Sequence, residues 1–362
     1  MSKYLWQKKL YADCWGKNNL AMTDDYMTKI LNNPRVAWWE PQAFKIRECY
    51  SQLWTEASAL VWRDHQELLK DREHRRFRAQ LRGALIVWGH PGVGKSSYLF
   101  YALIRALREK QAVVWVGPSS KWTLFDSKGV TFITPANIYQ ADIALMLQNL
   151  SPETLILVDA IAPPLALQET SGFIIQATSP QKSRWSEWAK QKGAAFFTMP
   201  LWTEEEIDHA IAPRLSFSPD LDPLNDFCYS PKEIFETLGP TPRECFDFLT
   251  KAKVNSGNPK IDFNDYLDIQ ALKEVIRNTP NPMTLLKGGA IDDRTASFYR
   301  LFHIDVDPSQ QLVDRDPHYC LTLPTRFLRD TFYEIIAECN HSRQHHLLSD
   351  FPPLLPLPNS MD

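Results

Sequence analysis

From residue 83 onward, short runs of consecutive apolar residues alternate with longer stretches whose apolar positions recur every three to four residues. The runs at 83–88, 112–116, 154–158, 173–177 and 194–199 each read as a strand buried on both faces. Between the first two, Leu99, Leu103, Ile104 and Leu107 mark one face of a helix over 96–110. A further helix is expected at 138–150, and an extra strand at 130–134. Strands spaced by helices predict a parallel sheet covered on both sides, a three-layer αβα core.

The flanks read differently. Residues 1–40 are aromatic-rich with weak periodicity, and a long helix is expected from Pro41, a favoured first-turn residue. Its buried face would carry Phe44, Tyr50, Leu53, Trp54, Ala57, Leu60, Val61, Leu68 and Leu69. After Trp202, Thr203 and Glu206 have the spacing of a capping box. Helices are expected at 231–238 and 242–253, then a polar connector with one helix over 255–281. Strands at 298–304 and 319–323 and a helix at 325–339 follow, before an extended proline-rich end at 351–358. This divides the chain into an N-terminal helical region (1–82), an α/β core (83–202), a helical lid (203–256), a small C-terminal α+β region (257–350) and a tail (351–362).

Composition narrows the class. With 40 basic and 43 acidic residues the formal charge is -3, which argues against coating nucleic acid through bulk charge. The six Lys or Arg between Lys70 and Arg82 leave two readings open, a solvated helix face or a contact for nucleic-acid phosphates. Six scattered cysteines without a C-x-x-C pair read as reduced thiols. The polar start and the lack of a long uncharged apolar run give an expectation of an intracellular protein, cytoplasmic or nuclear, with no membrane partner.

The chemistry concentrates at Gly89-His90-Pro91-Gly92-Val93-Gly94-Lys95-Ser96, which satisfies G-x-x-x-x-G-K-[ST] between an apolar strand and an amphipathic helix. Glycines let backbone N–H groups wrap phosphate oxygens, and Lys95 supplies a cation. The Ser96 hydroxyl is a magnesium ligand candidate, and the helix beginning there, with Ser97, aims its positive end at the phosphates. Asp159, at the end of 154–158, is the second magnesium contact expected. The position after it, where many ATPases carry a water-polarising Glu, is Ala160; Glu169 lies ten residues on. Thr178 at a strand tip and Arg243 at a helix start are candidates to sense the terminal phosphate, as are Lys182 and Arg184. His341, His345 and His346 lack an acidic partner for a metal, and Asp126-Ser127-Lys128 reads as a turn rather than a nuclease centre.

Several further pieces stand in a recognisable order: Ile46-Arg47-Glu48-Cys49-Tyr50, the Gly89–Ser96 loop, Leu155–Asp159 followed by Pro163-Pro164, and Ala177-Thr178-Ser179-Pro180. Glu187-Trp188-Ala189-Lys190, residues 199–206 (MPLWTEEE) and Gly239-Pro240-Thr241-Pro242-Arg243 come next. Leu301-Phe302-His303-Ile304 and Leu323-Pro324-Thr325 close the series. Over residues 44–350 the chain resembles the ATPase module of the Crinkler and retrotransposon-hot-spot (RHS) proteins, a divergent branch near the AAA+ and STAND ATPases. The resemblance implies ATP and Mg2+ as ligands, with Lys95 and Ser96 in a Walker A loop, Asp159 in a Walker B strand and Arg243 in the lid. That family often adds a restriction-type nuclease; no nuclease motif and no Leu-Phe-Leu header are expected here. The expectation is therefore a phosphate-loop ATPase with lid movement, against a nucleotide-dependent switch or scaffold that binds without turnover. A small-molecule kinase is a third reading, and a protein partner or self-association stays open.

Overall fold

A computed structural model describes residues 5–18, 21–31, 44–74, 83–117, 122–134, 140–216, 229–254, 263–277, 296–307, 313–314 and 319–341. Helices α1 (Leu5–Cys14), α2 (Asp24–Leu31) and α3 (Glu48–His74) precede the core. The sheet begins with β1 (Ala84–Trp88), followed by α4 (Lys95–Arg108), β2 (Val113–Val116), β3 (Trp122–Asp126), β4 (Gly129–Ile133) and α5 (Ala141–Gln148). Then come β5 (Leu155–Asp159), α6 (Leu165–Gln168), β6 (Phe173–Ala177), a 3-10 turn (Lys182–Arg184), α7 (Ser186–Lys192) and β7 (Ala195–Thr198).

The eight-stranded sheet runs β4-β3-β2-β5-β6-β1-β7-β9, where β9 is Val313–Asp314. β2, β5, β6, β1 and β7 are parallel. Every residue of β1, β2, β5 and β6 is buried, so both faces are covered, as an αβα core requires. The fold is thus α/β with a large, mostly parallel sheet. Antiparallel strands join the parallel core at its edges: β3 runs antiparallel to β2 and β4, and β9 antiparallel to β7. The β3–β4 turn is the one read at 126–128, closed by the Lys128 N–H donating 2.8 Å to Asp126 Oδ1.

Helices α8 (Glu204–Ser216), α9 (Pro231–Leu238) and α10 (Pro242–Val254) follow the sheet. Ser230 and Glu233 close a capping box on α9, with Pro231 in its first turn. The remainder comprises α11 (Phe263–Leu267), α12 (Ile269–Arg277), α13 (Ala296–Leu301), β8 (His303–Val306), β10 (Tyr319–Thr322) and α14 (Arg326–His341), with β8 and β10 paired antiparallel.

Three expectations shift here for physical reasons. The long helix begins at Glu48, because α2 captures the preceding backbone: Thr28 Oγ1 accepts from the Phe44 N–H and Asp24 Oδ1 from the Ile46 N–H, both at 2.8 Å. The stretch read as a strand at 298–304 is mostly α13, since Phe298, Leu301 and Phe302 bury at helical spacing, and β8 starts only at His303. Among its described residues the connector holds two helices, split at Asp268, whose φ of 54° breaks the helix while its side chain accepts from the Ala271 N–H. The 75–82 part of the basic stretch, the proline-rich tail, His345 and His346 lie outside the described residues. Among the described residues, Cys14, Cys49, Cys245 and Cys320 are free thiols, and no helix is long and apolar enough to cross a membrane.

Candidate functional site

The strand order places the site. β6 lies between β1 and β5, with Ala177 opposite Asp159 and the Thr178 N–H donating to the Val87 carbonyl at 3.0 Å. The C-terminal ends of three neighbouring strands therefore bring the glycine loop, Asp159 and Thr178 together. They open into a cleft of about 580 Å³ that α10 closes from the far side with Pro242, Arg243, Phe246 and Asp247.

Loop conformation follows from its glycines. Gly92 has φ 91°, and a Cβ there would lie 2.7 Å from the Arg243 Cβ. Gly94, φ 101°, is the left-handed N-cap of α4, and its missing side chain leaves room for the Tyr50 hydroxyl, which donates 2.9 Å to the Gly94 carbonyl. α4 starts at Lys95, one residue earlier than expected, so the unpaired N–H groups of its first turn face the cleft.

Lys95 is buried and donates to the Gly89 and His90 carbonyls at 2.8 and 2.6 Å. Burial, then the nearby Arg243 guanidinium, pull its ammonium down to about 7, while Asp159 pulls upward. The Ser96 hydroxyl donates 2.7 Å to Asp159 Oδ1. Asp159 is buried; desolvation raises its pKa, opposed by the Ser96 hydrogen bond and by Lys95. Two hard oxygen donors thus stand together at the cleft, the donor set a magnesium ion takes alongside phosphate and water. Among the described residues no group of three or more His, Cys, Asp or Glu side chains is placed to hold a metal alone.

Pro91, Gly92, Gly94, Lys95, Ser96, Ser97, Asp159, Thr178 and Arg243 all line the cleft. Gly89, His90 and Val93 do not line it and serve the loop from behind. Gly89 backs onto Met199. The His90 ring is buried, stacks on His303 with centroids 4.6 Å apart, and accepts from the Ile304 N–H through Nδ1. Val93 offers its carbonyl to Trp202 Nε1 at 2.8 Å. Ala160, lining the cleft beside Asp159, has φ 62°, a left-handed conformation unusual for a residue with a Cβ.

Sequence reasoning left two features unplaced. An apolar part of the cleft lining is made by Phe44, Tyr50, Trp202, Ala210 and Phe246. Behind the loop, the buried Arg47 donates to Glu206 (2.9 and 3.0 Å) and to the Val93, Pro200 and Leu201 carbonyls, and its guanidinium lies 5.0 Å from the centre of the Trp202 ring. Both Arg47 and Trp202 belong to motifs singled out in the sequence, and the Thr203–Glu206 capping box forms beside them.

No family model matches the chain. Among curated proteins it is similar to Crinkler effector proteins 15 and 16 of Phytophthora infestans, at 33% and 32% identity over 131 residues, covering 34% of this chain and 19% of theirs. The chain thus spans about a fifth of the length of these relatives. Among solved structures it is similar to the RuvB Holliday junction branch migration motor of Thermotoga maritima (14% identity, 63% of this chain and 74% of that chain, TM-score 0.27). It is also similar to the Aeropyrum pernix ORC2 protein in ADPNP–ADP complexes (13%, 79% and 94%, TM-score 0.32). These likenesses are loose, and the strand order and loop geometry stand without them.

Proposed function

We propose that the chain binds ATP with Mg2+ in this cleft and hydrolyses it, with the helical lid following nucleotide state. The observation that carries the reading is the 2.7 Å bond between Ser96 and Asp159, made beside the Lys95 ammonium at a helix N-terminus. Backbone N–H groups of Gly92 and of Gly94 to Ser97, with the Lys95 ammonium, hold the phosphates; Ser96 and Asp159 hold the metal, which neutralises phosphate charge when bound. Thr178 stands where it orients a terminal phosphate or water. Arg243 approaches from α10, so the lid gains a contact only when an anion is present. The Phe44–Tyr50–Trp202–Phe246 wall takes the base by stacking. The proposal includes the Crinkler and retrotransposon-hot-spot type of module, the second half of which rests on the sequence motifs alone.

A second reading, an ATP-dependent switch with little turnover, is favoured by Ala160, which places no carboxylate next to Asp159. Phosphate release from magnesium ATP by the purified chain separates the two. Turnover supports hydrolysis, whereas calorimetric binding without release supports the switch, and absence of both would sink the nucleotide site. Asp159→Asn should weaken magnesium-dependent ATP binding by about tenfold or more and leave magnesium-free binding within about threefold; equal losses would remove Asp159 from the metal.

Lys95 adds a pH signature. In the cleft without phosphate its ammonium titrates near 7; phosphate beside it restores a value closer to the ordinary 10.5. Binding at pH 8, where ATP is already fully ionised, should therefore take up a fraction of a proton, up to about one per chain. At pH 6, with Lys95 charged beforehand, this uptake disappears. Calorimetry in two buffers of different ionisation enthalpy reads it, and no uptake at pH 8 would contradict the assignment.

A further inference from the structure

Arg184 closes the 3-10 turn that follows β6, half-buried, and lines the same cleft as Lys95, Asp159, Thr178 and Ser179. Its guanidinium makes one hydrogen bond among the described residues, Nη1 donating 3.3 Å to the neutral Ser179 hydroxyl. Three guanidinium groups off the cleft have carboxylates: Arg47 has Glu206, Arg300 has Glu244, and Arg105 has Glu109. A half-buried guanidinium held by one hydroxyl keeps most of its fork of donors for an anion.

The turn is fixed from beneath. Gln176, fully buried one residue before the end of β6, donates through Nε2 to the Arg184 carbonyl at 3.0 Å and the Ile161 carbonyl at 2.6 Å. Trp188 Nε1 donates to the same Arg184 carbonyl at 3.3 Å. A primary amide inside a central strand is costly unless its bonds are used. Here its two N–H donors tie the Arg184 turn to the segment that leaves Asp159, while its Oε1 is buried with no hydrogen-bond partner among the described residues. Because Ala177 pairs with Asp159, the residues after β6 stand on the metal side of the cleft, whereas Arg243 enters from the lid.

We propose that Arg184 is a contact, supplied by the chain itself, for the terminal phosphate of the bound triphosphate, and that Gln176 is the residue that positions it. The inference rests on the nucleotide reading above. It gives the site a way to tell ATP from ADP that needs neither the lid nor a second copy of the chain.

The test is calorimetric binding of ATP and ADP, each with magnesium and with chelator. Arg184→Gln should weaken ATP by about 10- to 100-fold and leave ADP within about twofold, in both conditions. Arg184→Lys should recover part of the loss. Gln176→Leu, near in volume, should lower the ATP-to-ADP preference by a smaller factor, a change that a purely structural residue would not cause. Equal weakening of both nucleotides by Arg184→Gln, or no change in either, would overturn the proposal while leaving the site itself standing. Failure of the unmodified chain to bind either nucleotide would instead overturn the nucleotide reading. Should Gln176→Leu not fold, the Arg184 pair of variants decides the phosphate contact alone.

Discussion

Lys95→Ala is expected to lower ATP affinity by about 100-fold or more and to abolish any turnover, without unfolding the chain. The magnitude comes from losing charge-assisted bonds to two phosphates in a partly desolvated cleft, each worth roughly 1.5–3 kcal/mol. Stability should move little, and for a specific reason. The ammonium is buried, its pKa is lowered by desolvation and by Arg243, and its partners in the described structure are the two carbonyls of Gly89 and His90. Removing it frees those carbonyls but also removes a disfavoured charge, and the two effects oppose each other. A thermal melt should therefore show a near-unchanged midpoint without nucleotide and no rise when ATP is added, whereas the unmodified chain should rise. A variant that still rises with ATP would remove Lys95 from the site. A variant that melts far lower would show that Lys95 serves the fold.

The phosphate loop and Asp159 were legible because each is local. A strand, eight residues and a helix define the loop, and a four-residue apolar run ending in Asp defines the carboxylate proposed for the metal. Strand boundaries in the parallel core came within a residue or two, since runs buried on both faces have little else to become. The β3 strand escaped although its turn was read. Trp122 to Phe125 and Val130 to Ile133 flank that turn as a hairpin should, but the upstream half was left unassigned. Phe298 to Phe302 misled because an aromatic-rich segment favours strands by composition, while its 3-and-4 spacing is helical. The apolar wall was invisible for another reason. Phe44 and Tyr50 come from one stretch of the chain and Trp202 and Phe246 from two others, and nothing in any one stretch announces the others. Gln176 was hidden inside an apolar run, where one amide looks like noise until its two carbonyl partners are seen.

Arg47→Ala is expected to destabilise the chain by about 3 kcal/mol or more and to weaken nucleotide binding in whatever fraction stays folded. Arg47 is 2% exposed, and its Glu206 partner 19%, so the pair is shielded enough for the loss of one member to leave a costly charge. The deletion also strips donors from the Pro200 and Leu201 carbonyls and one of two from Val93. The consequence for binding follows from where those carbonyls sit. Val93 is inside the phosphate loop, while Pro200 and Leu201 lie in the link from β7 to α8, which carries Trp202 into the cleft wall. One side chain from the segment ahead of α3 thereby ties the loop to the β7–α8 link that carries Trp202, and Phe44, Lys45 and Tyr50 of the N-terminal region line the cleft. Trp202→Phe separates the two contributions. It keeps a ring beneath the guanidinium but removes the N–H from Val93, and should cost about 1 kcal/mol with a measurable loss of affinity. Chemical denaturation of both variants, with ATP titrations below their midpoints, reads the result. Arg47→Ala within about 0.5 kcal/mol of the unmodified chain would mean that the clamp contributes neither stability nor loop geometry.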